Sequence, residues 1–571
     1  MNYISIYKSW VSSPKLSMEE REELKRIEKD AKEIEYRFGK NLEFGTAGMR
    51  GIIGMGTNMM NVYTVTRATQ GLSEYVKSLG KKATKRGVVI SFDTRRMSKE
   101  FAFAAALTLA SNGIKAYLFP EVHPVPMLSF AVRKLKTVAG IMITASHNPK
   151  EYNGYKVYGE DGAQMSPEST AVIVDQINKI DSCVSDKILC DPEYIGRIKN
   201  VPKRVDRAYY RILKGLTLSS KEVKTVGKDI KIIYTPVHGS GYVPVTTILK
   251  KIGIKATLVP EQVAPDTEFS TVAVPNPEFK ETLYLGIKMA DFKHADVVFG
   301  TDPDCDRLGV AIRGEDNEFV ALSGNQTGVL LLDYVLLRLK ETGKLDEKGF
   351  VVKSFVTTDM AKLICKDYGV ELFDVPVGFK FIGEKIKTLD DTGKRKFIFG
   401  FEESCGHLFG THARDKDAVV ASMLFAEMVC YYECRGIKIY QRLNELYKKY
   451  GYVFDTNVST LYSGLSAMDE MNAVVDKMKT VNVDSIGNIK VVAKRNYATG
   501  KRITEGGEED MDTPKTNAVY YELSGGGFVC IRPSGTEPKL KTYYSLLGNS
   551  ERAAREKFRK AKADFEKKLS E

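Results

Sequence analysis

Apolar positions come in short unbroken runs through most of this chain. Gly87-Val88-Val89-Ile90-Ser91-Phe92, Ala139-Gly140-Ile141-Met142-Ile143, Ile230-Lys231-Ile232-Ile233-Tyr234, Ala256-Thr257-Leu258-Val259 and Asp296-Val297-Val298-Phe299 belong to this set. So do Phe350-Val351-Val352, Glu371-Leu372-Phe373 and Phe397-Ile398-Phe399. Runs of this length without alternation predict strands buried on both faces. The stretches between them carry helical spacing, which predicts βαβ units and largely parallel sheets. Both ends of the chain read differently. Leu24, Ile27, Ala31 and Ile34 recur among charges and predict one amphipathic helix over the first thirty-odd residues. Near the carboxyl terminus come a strand-like piece, Asn488-Ile489-Lys490-Val491-Val492-Ala493, and a glycine turn, Gly525-Gly526-Gly527. A closing helix follows, its buried face made of Ala554, Phe558, Ala561, Phe565 and Leu569. The acidic segment Glu505–Asp512 reads as an exposed loop.

The runs fall into three groups, each ending in a loop of unusual chemistry at 144–149, 302–307 and 400–407. This predicts three α/β domains of related plan, over residues 1–210, 211–324 and 325–450, and a different domain over 451–571. A chain of 571 residues exceeds one hydrophobic core, in keeping with that division. No apolar run approaches the ~18–20 residues a membrane helix needs. The amino terminus lacks a basic segment followed by a long apolar stretch, so a cytoplasmic location is expected. The eight cysteines include no Cys-x-x-Cys pair, and reduced thiols are expected. Net charge is +12, but lysine and arginine are interleaved with acidic residues rather than gathered into a stripe. Nucleic acid is therefore not an expected partner, whereas small anionic substrates are. Neither a membrane nor a protein partner is implied.

Four segments carry candidate chemistry. Thr144-Ala145-Ser146-His147-Asn148-Pro149 directly follows a buried run, so Ser146 is expected where open α/β sheets place their ligands. Such a serine can act as a nucleophile or a phosphate carrier. Pro149 prevents extension of the strand, and Asn153-Gly154 adds a turn signal. A Ser-His pair on a polar loop is ordinarily just solvated; the second segment raises its interest. Asp302, Asp304 and Asp306 are spaced by two, and in an extended loop that spacing points three carboxylates the same way. The bland reading is an acidic turn. An EF-hand fails, because its sixth and twelfth positions hold Arg307 and Arg313. With no histidine or thiolate pair nearby, Mg²⁺ is expected rather than Zn²⁺, and Cys305 is expected to pack inward. Mg²⁺ usually keeps a position for a phosphate oxygen, which a phosphorylated Ser146 would fill. In Arg532-Pro533-Ser534-Gly535-Thr536-Glu537-Pro538-Lys539, glycine between two hydroxyls lets backbone N–H groups approach a phosphate that Arg532 can fork. The plain alternative is a turn between strands. Gly400-Phe401-Glu402-Glu403-Ser404-Cys405-Gly406-His407 sets a carboxylate and a hydroxyl two residues apart, suited to sugar hydroxyls, or else simply starts a helix.

These four segments, in this order, resemble the active-site loops of the α-D-phosphohexomutase superfamily, the phosphoglucomutases and phosphomannomutases. The likeness runs over essentially the whole chain. Gly45-Thr46-Ala47-Gly48-Met49-Arg50-Gly51, Asn153-Gly154-Tyr155-Lys156-Val157-Tyr158 and Ala413-Arg414-Asp415-Lys416-Asp417-Ala418 are most similar to its longer bacterial form, which includes enzymes of pentose phosphates. The resemblance implies three α/β mixed-sheet domains and a C-terminal TBP-like α+β domain around a central cleft. It implies catalytic roles for Ser146, Lys156, Arg50 and His147, with Lys156 the candidate base, and a metal held by Asp302, Asp304, Asp306 and Ser146. Arg307, Gly378, Lys380, Glu402, Ser404 and Lys416 would bind substrate, and Arg532, Ser534, Gly535 and Thr536 its phosphate. Cys405 separates Ser404 from Gly406-His407, unlike relatives with histidine directly after Ser-Gly, so the resemblance does not carry an acid–base role over to His407. The implied reaction interconverts glucose 1-phosphate and glucose 6-phosphate through a phosphoserine and glucose 1,6-bisphosphate, which also serves as activator. Mannose or pentose phosphates are the alternative substrates, and a metal-dependent sugar phosphatase is a more distant alternative.

Overall fold

The computed structural model describes residues 2–45, 48–463, 466–534 and 539–571. The chain divides into two compact units. One comprises residues 1–322, 383–392 and 405–435; the other comprises 323–382, 393–404 and 436–571.

The amino-terminal segment forms three helices, Tyr3–Val11, Met18–Arg26 and Ala31–Phe38, where a single one was expected. Pro14 lies in the first break, and a proline inside a helix removes an N–H and clashes with the preceding turn. Two strong caps then restart the chain. Ser17 and Glu20 form a reciprocal capping box, and Asp30 accepts the N–H of Glu33 at 3.0 Å. The helices meet over Tyr7, Trp10, Leu24, Ile34 and Phe38, with Phe38 edge-on to Tyr7 and to Trp10 at 5.6 Å.

The first unit contains two sheets of one plan. The six-stranded sheet runs Gly48–Ile52, Tyr152–Gly159, Ala139–Ile143, Val88–Phe92, Ala116–Leu118, Ile198–Asn200. The five-stranded sheet runs Phe319–Leu322, Leu308–Arg313, Val297–Thr301, Ile232–Thr235, Ala256–Leu258. In each, a buried parallel strand (Ala139–Ile143 or Val297–Thr301) turns back into an antiparallel neighbour. The two returning connections hold Ser146 and the three aspartates. Helices cover both faces of the first sheet's centre, which explains why Val88–Phe92 and Ala139–Ile143 are buried throughout. Asn153-Gly154 lies inside the returning strand Tyr152–Gly159 rather than in a turn. Gly154 is needed there, because a Cβ would come within 2.5 Å of the Thr144 carbonyl oxygen.

In the second unit, Glu371–Val375, Gly349–Ser354 and Lys396–Glu402 form parallel pairs. The carboxyl-terminal sheet is antiparallel throughout, in the order Tyr452–Leu461, Lys539–Gly548, Gly527–Pro533, Val519–Leu523, Ile489–Asn496, Lys501–Thr504, Gly507–Asp510. Helices Ala467–Thr480 and Glu551–Ser570 share a core with it, and Ala561 and Phe565 are fully buried. The acidic segment 505–512, expected as a loop, closes a hairpin instead. Gly507–Asp510 pairs with Lys501–Thr504, and Arg502 bonds Glu509 across it at 2.7 Å. Its charged, exposed strand lies at the sheet edge, where charge discourages pairing with other chains.

Glu522 anchors that hairpin. Arg495 Nε donates to its Oε1 at 2.5 Å, and Arg502 donates to both oxygens at 2.8 and 2.9 Å. Burial alone would raise this carboxyl, but the two arginines hold it down to about 2, against an ordinary 4.5. A depressed folded-state pKa contributes stability in full above the unfolded value and loses it as pH falls toward 2. Glu522→Gln should therefore destabilise by about 1–3 kcal/mol at pH 7. Thermal unfolding against pH checks this: the gap to the native chain should be widest at neutral pH and narrow from pH 4.5 downward.

Candidate active site

Ser146 stands just beyond the buried strand Ala139–Ile143, at φ 52° and almost fully enclosed. Left-handed backbone is uncommon outside glycine and costs roughly 1–2 kcal/mol. Here it turns the side chain toward the second loop, so that Ser146 Oγ donates to Asp302 Oδ2 at 2.9 Å. His147 Nδ1 lies 3.2 Å from Ser146 Oγ. Burial, then Arg307 and Arg50, push the imidazole well below its ordinary value. Arg50 reaches the loop from the neighbouring strand and donates to Asn148 Oδ1 at 2.9 Å.

The three aspartates converge, but not through an extended loop. Residues 303–305 form a turn with Cys305 at φ 51°, and Asp302 Oδ1 accepts the N–H groups of Asp306 and Arg307 at 3.1 and 3.0 Å. Cys305 is fully buried, as expected, and all eight cysteines are free thiols. One oxygen from each aspartate lies within 4.8 Å of the others. Lys156 Nζ donates to Asp304 Oδ2 at 2.9 Å, and Lys416 Nζ lies 3.0 Å from Asp306 Oδ2. The other oxygens, Asp304 Oδ1 and Asp306 Oδ1, are buried without a hydrogen-bond donor. Burial, with Asp304 and Asp306 beside it, raises Asp302 well above the carboxylate range, and burial with Asp304 raises Asp306. Burial acts the same way on Asp304, but Lys156 outweighs it and holds that carboxyl low. Buried, bare carboxylate oxygens converging on one point are the donor set of a hard divalent cation. The residues fit a metal site.

Further groups of the same unit complete this region. Lys416 also lies 3.1 Å from Asp415 Oδ1, and Asp415 Oδ2 accepts Tyr158 OH at 3.0 Å and Gln164 Nε2 at 3.2 Å. Arg307 pairs with Glu278, its Nε 4.0 Å from Asp302 Oδ2 and 3.9 Å from Asp306 Oδ1. Sequence reasoning missed Asp415, Tyr158, Asp93, Thr144 and Arg95 as contributors. The signal for two of them was the polar run Asp93-Thr94-Arg95 straight after the buried strand Val88–Phe92.

The second unit holds the remaining predicted residues. Glu402 ends the strand Lys396–Glu402, and its Oε1 accepts the N–H of Gly378 at 2.8 Å. Gly378 sits at φ 122°, a backbone that favours glycine. Lys380 lies in the helix Phe379–Leu389, its Nζ 4.9 Å from the Phe381 ring centroid. Ser404 is half-buried in the turn that follows Glu402, so the segment is not a helix start. Glu403 Oε2 accepts the hydroxyls of Ser354 and Thr357 at 2.9 and 3.1 Å. Arg532, near the end of Gly527–Pro533, donates to Tyr543 OH at 3.4 Å, and Ser534 N donates to the Lys539 carbonyl at 2.8 Å. Gly535 and Thr536 lie outside the described residues. Among the described residues, no helix is long and apolar enough to cross a membrane.

Comparison with known proteins gives the family. Residues 41–183, 208–315 and 323–450 match the alpha/beta/alpha domains I, II and III of phosphoglucomutase/phosphomannomutase. The chain is 36% identical over 515 residues to a phosphoglucomutase of Staphylococcus haemolyticus, covering 90% of this chain and 91% of that one. Against a phosphoglucomutase of Staphylococcus aureus it is 35% identical over 529 residues, covering 92% and 93%. Two solved structures share the fold. A phosphoglucomutase/phosphomannomutase family protein from Burkholderia thailandensis aligns with TM-score 0.64 at 18% identity, over 91% of this chain and 96% of that one. The open form of parafusin, a phosphoglucomutase from Paramecium, aligns with TM-score 0.63 at 16% identity, over 91% and 94%. With Ser146 hydrogen-bonded to a buried three-aspartate cluster, and with matches of this extent, the chain belongs to the phosphoglucomutase/phosphomannomutase family of the α-D-phosphohexomutase superfamily.

Proposed function

We propose that this chain interconverts glucose 1-phosphate and glucose 6-phosphate through a phosphoserine at Ser146 and a glucose 1,6-bisphosphate intermediate, which also primes the enzyme. The observation that carries the reading is Ser146 Oγ, 2.9 Å from Asp302 within a carboxylate cluster that leaves Asp304 Oδ1 and Asp306 Oδ1 without donors. Glucose is favoured over mannose by the names of the relatives at 35–36% identity.

In the proposed cycle the Oγ–P bond of phosphoserine breaks as the oxygen of a sugar hydroxyl bonds to phosphorus. The hydroxyl proton passes to a nearby base, and the departing Ser146 Oγ takes up a proton to become the free hydroxyl. The resulting bisphosphate reorients, and Ser146 takes the other phosphoryl group. Mg²⁺ held by Asp302, Asp304, Asp306 and an oxygen on Ser146 would neutralise charge on the transferring group. The protein's share is positioning. Lys156 and Lys416 each occupy one oxygen of Asp304 or Asp306 and so aim the other oxygen inward. Asp302 accepts the Ser146 hydroxyl in the unphosphorylated state. His147, beside Oγ, shares proton handling with Lys156, while Arg50 and Arg307 add positive charge around the phosphoryl group. Glu402 and Ser404 bind sugar hydroxyls, assisted by Gly378 and Lys380, and Lys416 is a further substrate-binding group. Arg532, Ser534, Gly535 and Thr536 hold the non-reacting phosphate. A phosphate dianion is repelled by Glu402 and drawn to Arg532, which divides the two tasks.

Ser146→Ala should lower mutase turnover by about 1000-fold or more with the fold intact. Intact-mass measurement should find one phosphate on the native chain after incubation with glucose 1,6-bisphosphate and none on the variant; full activity without that phosphate would sink the reading.

Asp306→Asn should weaken Mg²⁺ binding at least about tenfold in a calorimetric titration of the unphosphorylated protein. Unchanged Mg²⁺ affinity would remove the aspartate cluster from the metal site.

Because the substrate must present either end, Arg532→Ala should weaken glucose 1-phosphate and glucose 6-phosphate alike, by about 10- to 100-fold. Glu402→Ala should lower turnover while sparing inorganic phosphate binding. Equilibrium binding of both isomers, with mannose 1-phosphate alongside, tests this; a loss confined to one isomer means the clamp is not shared.

A further inference from the structure

Arg95 carries a guanidinium fully enclosed beneath the Ser146 loop. Nη2 donates to the carbonyl oxygens of Ser146, at 2.6 Å, and Asn148. Nη1 donates to those of Pro149 at 2.9 Å and Tyr152 at 3.2 Å. The terminal N–H groups are thereby committed to backbone, so Arg95 is not built to hold a ligand. Nε lies 3.5 Å from Asp93 Oδ2, and the cation sits 5.1 Å from the Phe269 ring centroid. Asp93 also takes the Arg95 N–H at 3.0 Å, the Ser98 hydroxyl at 2.7 Å and the Thr144 hydroxyl at 2.7 Å. Thr144 Oγ1 then accepts the N–H of Ser146 at 2.8 Å. Both backbone polar groups of Ser146 thus belong to one buried network rooted at the end of the strand Val88–Phe92.

That network acts on the one residue whose backbone is strained and whose oxygen must transfer phosphate. Ser146 at φ 52° would relax to an ordinary conformation if its N–H and C=O were freed, carrying Oγ away from Asp302. A misplacement of about 1 Å can cost 100-fold in rate. In a cycle that empties and refills the serine, the tether of a bound phosphoryl group is lost once per turnover, and only the protein can hold Oγ in place.

We infer that Arg95, acting with Asp93 and Thr144, is a positioning residue that locks Ser146 in its left-handed conformation in both the phosphorylated and the free state. The inference rests on Ser146 being the phosphoryl carrier. Lysine cannot reproduce the fork, because a single ammonium has three donors on one centre and no planar pair.

Three variants test it. Arg95→Lys and Thr144→Val should each lower kcat by about 100-fold and leave KM for glucose 1-phosphate within threefold, since neither residue is assigned to substrate. Thr144→Ser keeps the hydroxyl and should recover at least a third of native kcat. The rate at which glucose 1,6-bisphosphate phosphorylates the unphosphorylated protein, followed by intact mass, should fall in step with kcat for Arg95→Lys and Thr144→Val. If Arg95→Lys does not fold, the Thr144 pair decides. A kcat within threefold of native for Thr144→Val, or no recovery in Thr144→Ser, overturns the inference. Activity surviving in Ser146→Ala would instead overturn the carrier assignment, so the two failures are distinguishable.

Discussion

Three carboxylates buried within 4.8 Å of one another cannot all carry charge unless cations meet them, and the rest of the site follows from that constraint. Lys156 and Lys416 each satisfy one oxygen of Asp304 and Asp306, and Asp415 keeps Lys416 in place. Tyr158 and Gln164 then satisfy Asp415. Each partner is buried or half-buried, so one oxygen each of Asp304 and Asp306 is met by a fixed group rather than by water. The arrangement leaves two bare oxygens and the Ser146–Asp302 contact facing a common point. A phosphoserine, carrying about −1.5 to −2 charges, is tolerable there only with strong positive charge close by. The same geometry that demands a divalent cation therefore also accommodates the phosphate.

The sheet plan brings these groups together from distant parts of the chain. Twice, a parallel strand buried on both faces ends in a tight connection that returns antiparallel. Each connection holds a non-glycine residue in left-handed backbone, Ser146 in one and Cys305 in the other, and Cys405 repeats the feature between the strands Lys396–Glu402 and Gly406–Phe409. Strain of roughly 1–3 kcal/mol at such positions persists only where the surroundings over-determine it. For Ser146 the determinants are Arg95 and Thr144. For Cys305 they include packing: a Cβ on Gly241 would come within 2.8 Å of Sγ, so glycine there admits the buried thiol. Val237 and His238, also at positive φ, lie in the neighbouring turn, where Ser240 N and Oγ both donate to the Pro303 carbonyl at 2.8 Å.

Much of this was legible in the sequence, and what was not has physical reasons. Unbroken apolar runs identified the parallel strands, and Val88–Phe92, Ala139–Ile143 and Val297–Thr301 are buried throughout, whereas Ala256–Leu258 and Glu371–Val375 lie at sheet edges and are only partly buried. The returning strand Tyr152–Gly159 was hidden, since Asn153-Gly154 reads as a turn until the Thr144 carbonyl is seen pressed against Gly154. The amino-terminal helices fused in the periodic pattern because Leu24 and Ile34 do share a core, though Pro14, Ser17 and Asp30 divide the chain that carries them. Spacing by two predicted convergence of the aspartates on the wrong grounds. The chain there is a turn, and convergence depends on the left-handed Cys305, which no local propensity favours. Lys156 and Lys416 were visible only through resemblance, since their partners are 148 and 110 residues away.

What a single sequence conceals most thoroughly is the support beneath a reactive residue. Arg95 touches no reacting group, and Asp93-Thr94-Arg95 reads as an ordinary polar run after a strand. Yet its guanidinium gathers three carbonyl oxygens from the loop that carries Ser146 and a fourth from Tyr152 where the returning strand begins, and Asp93 and Thr144 close the network on the serine's own N–H. A buried arginine without partners would be strongly destabilising; with them it converts a flexible polar loop into a fixed one. The cost of burying that charge is met only if the whole loop adopts one conformation. Desolvation and preorganisation are thus one interaction in this fold: the energy that makes the buried cation tolerable is the same energy that holds the serine where phosphate transfer needs it.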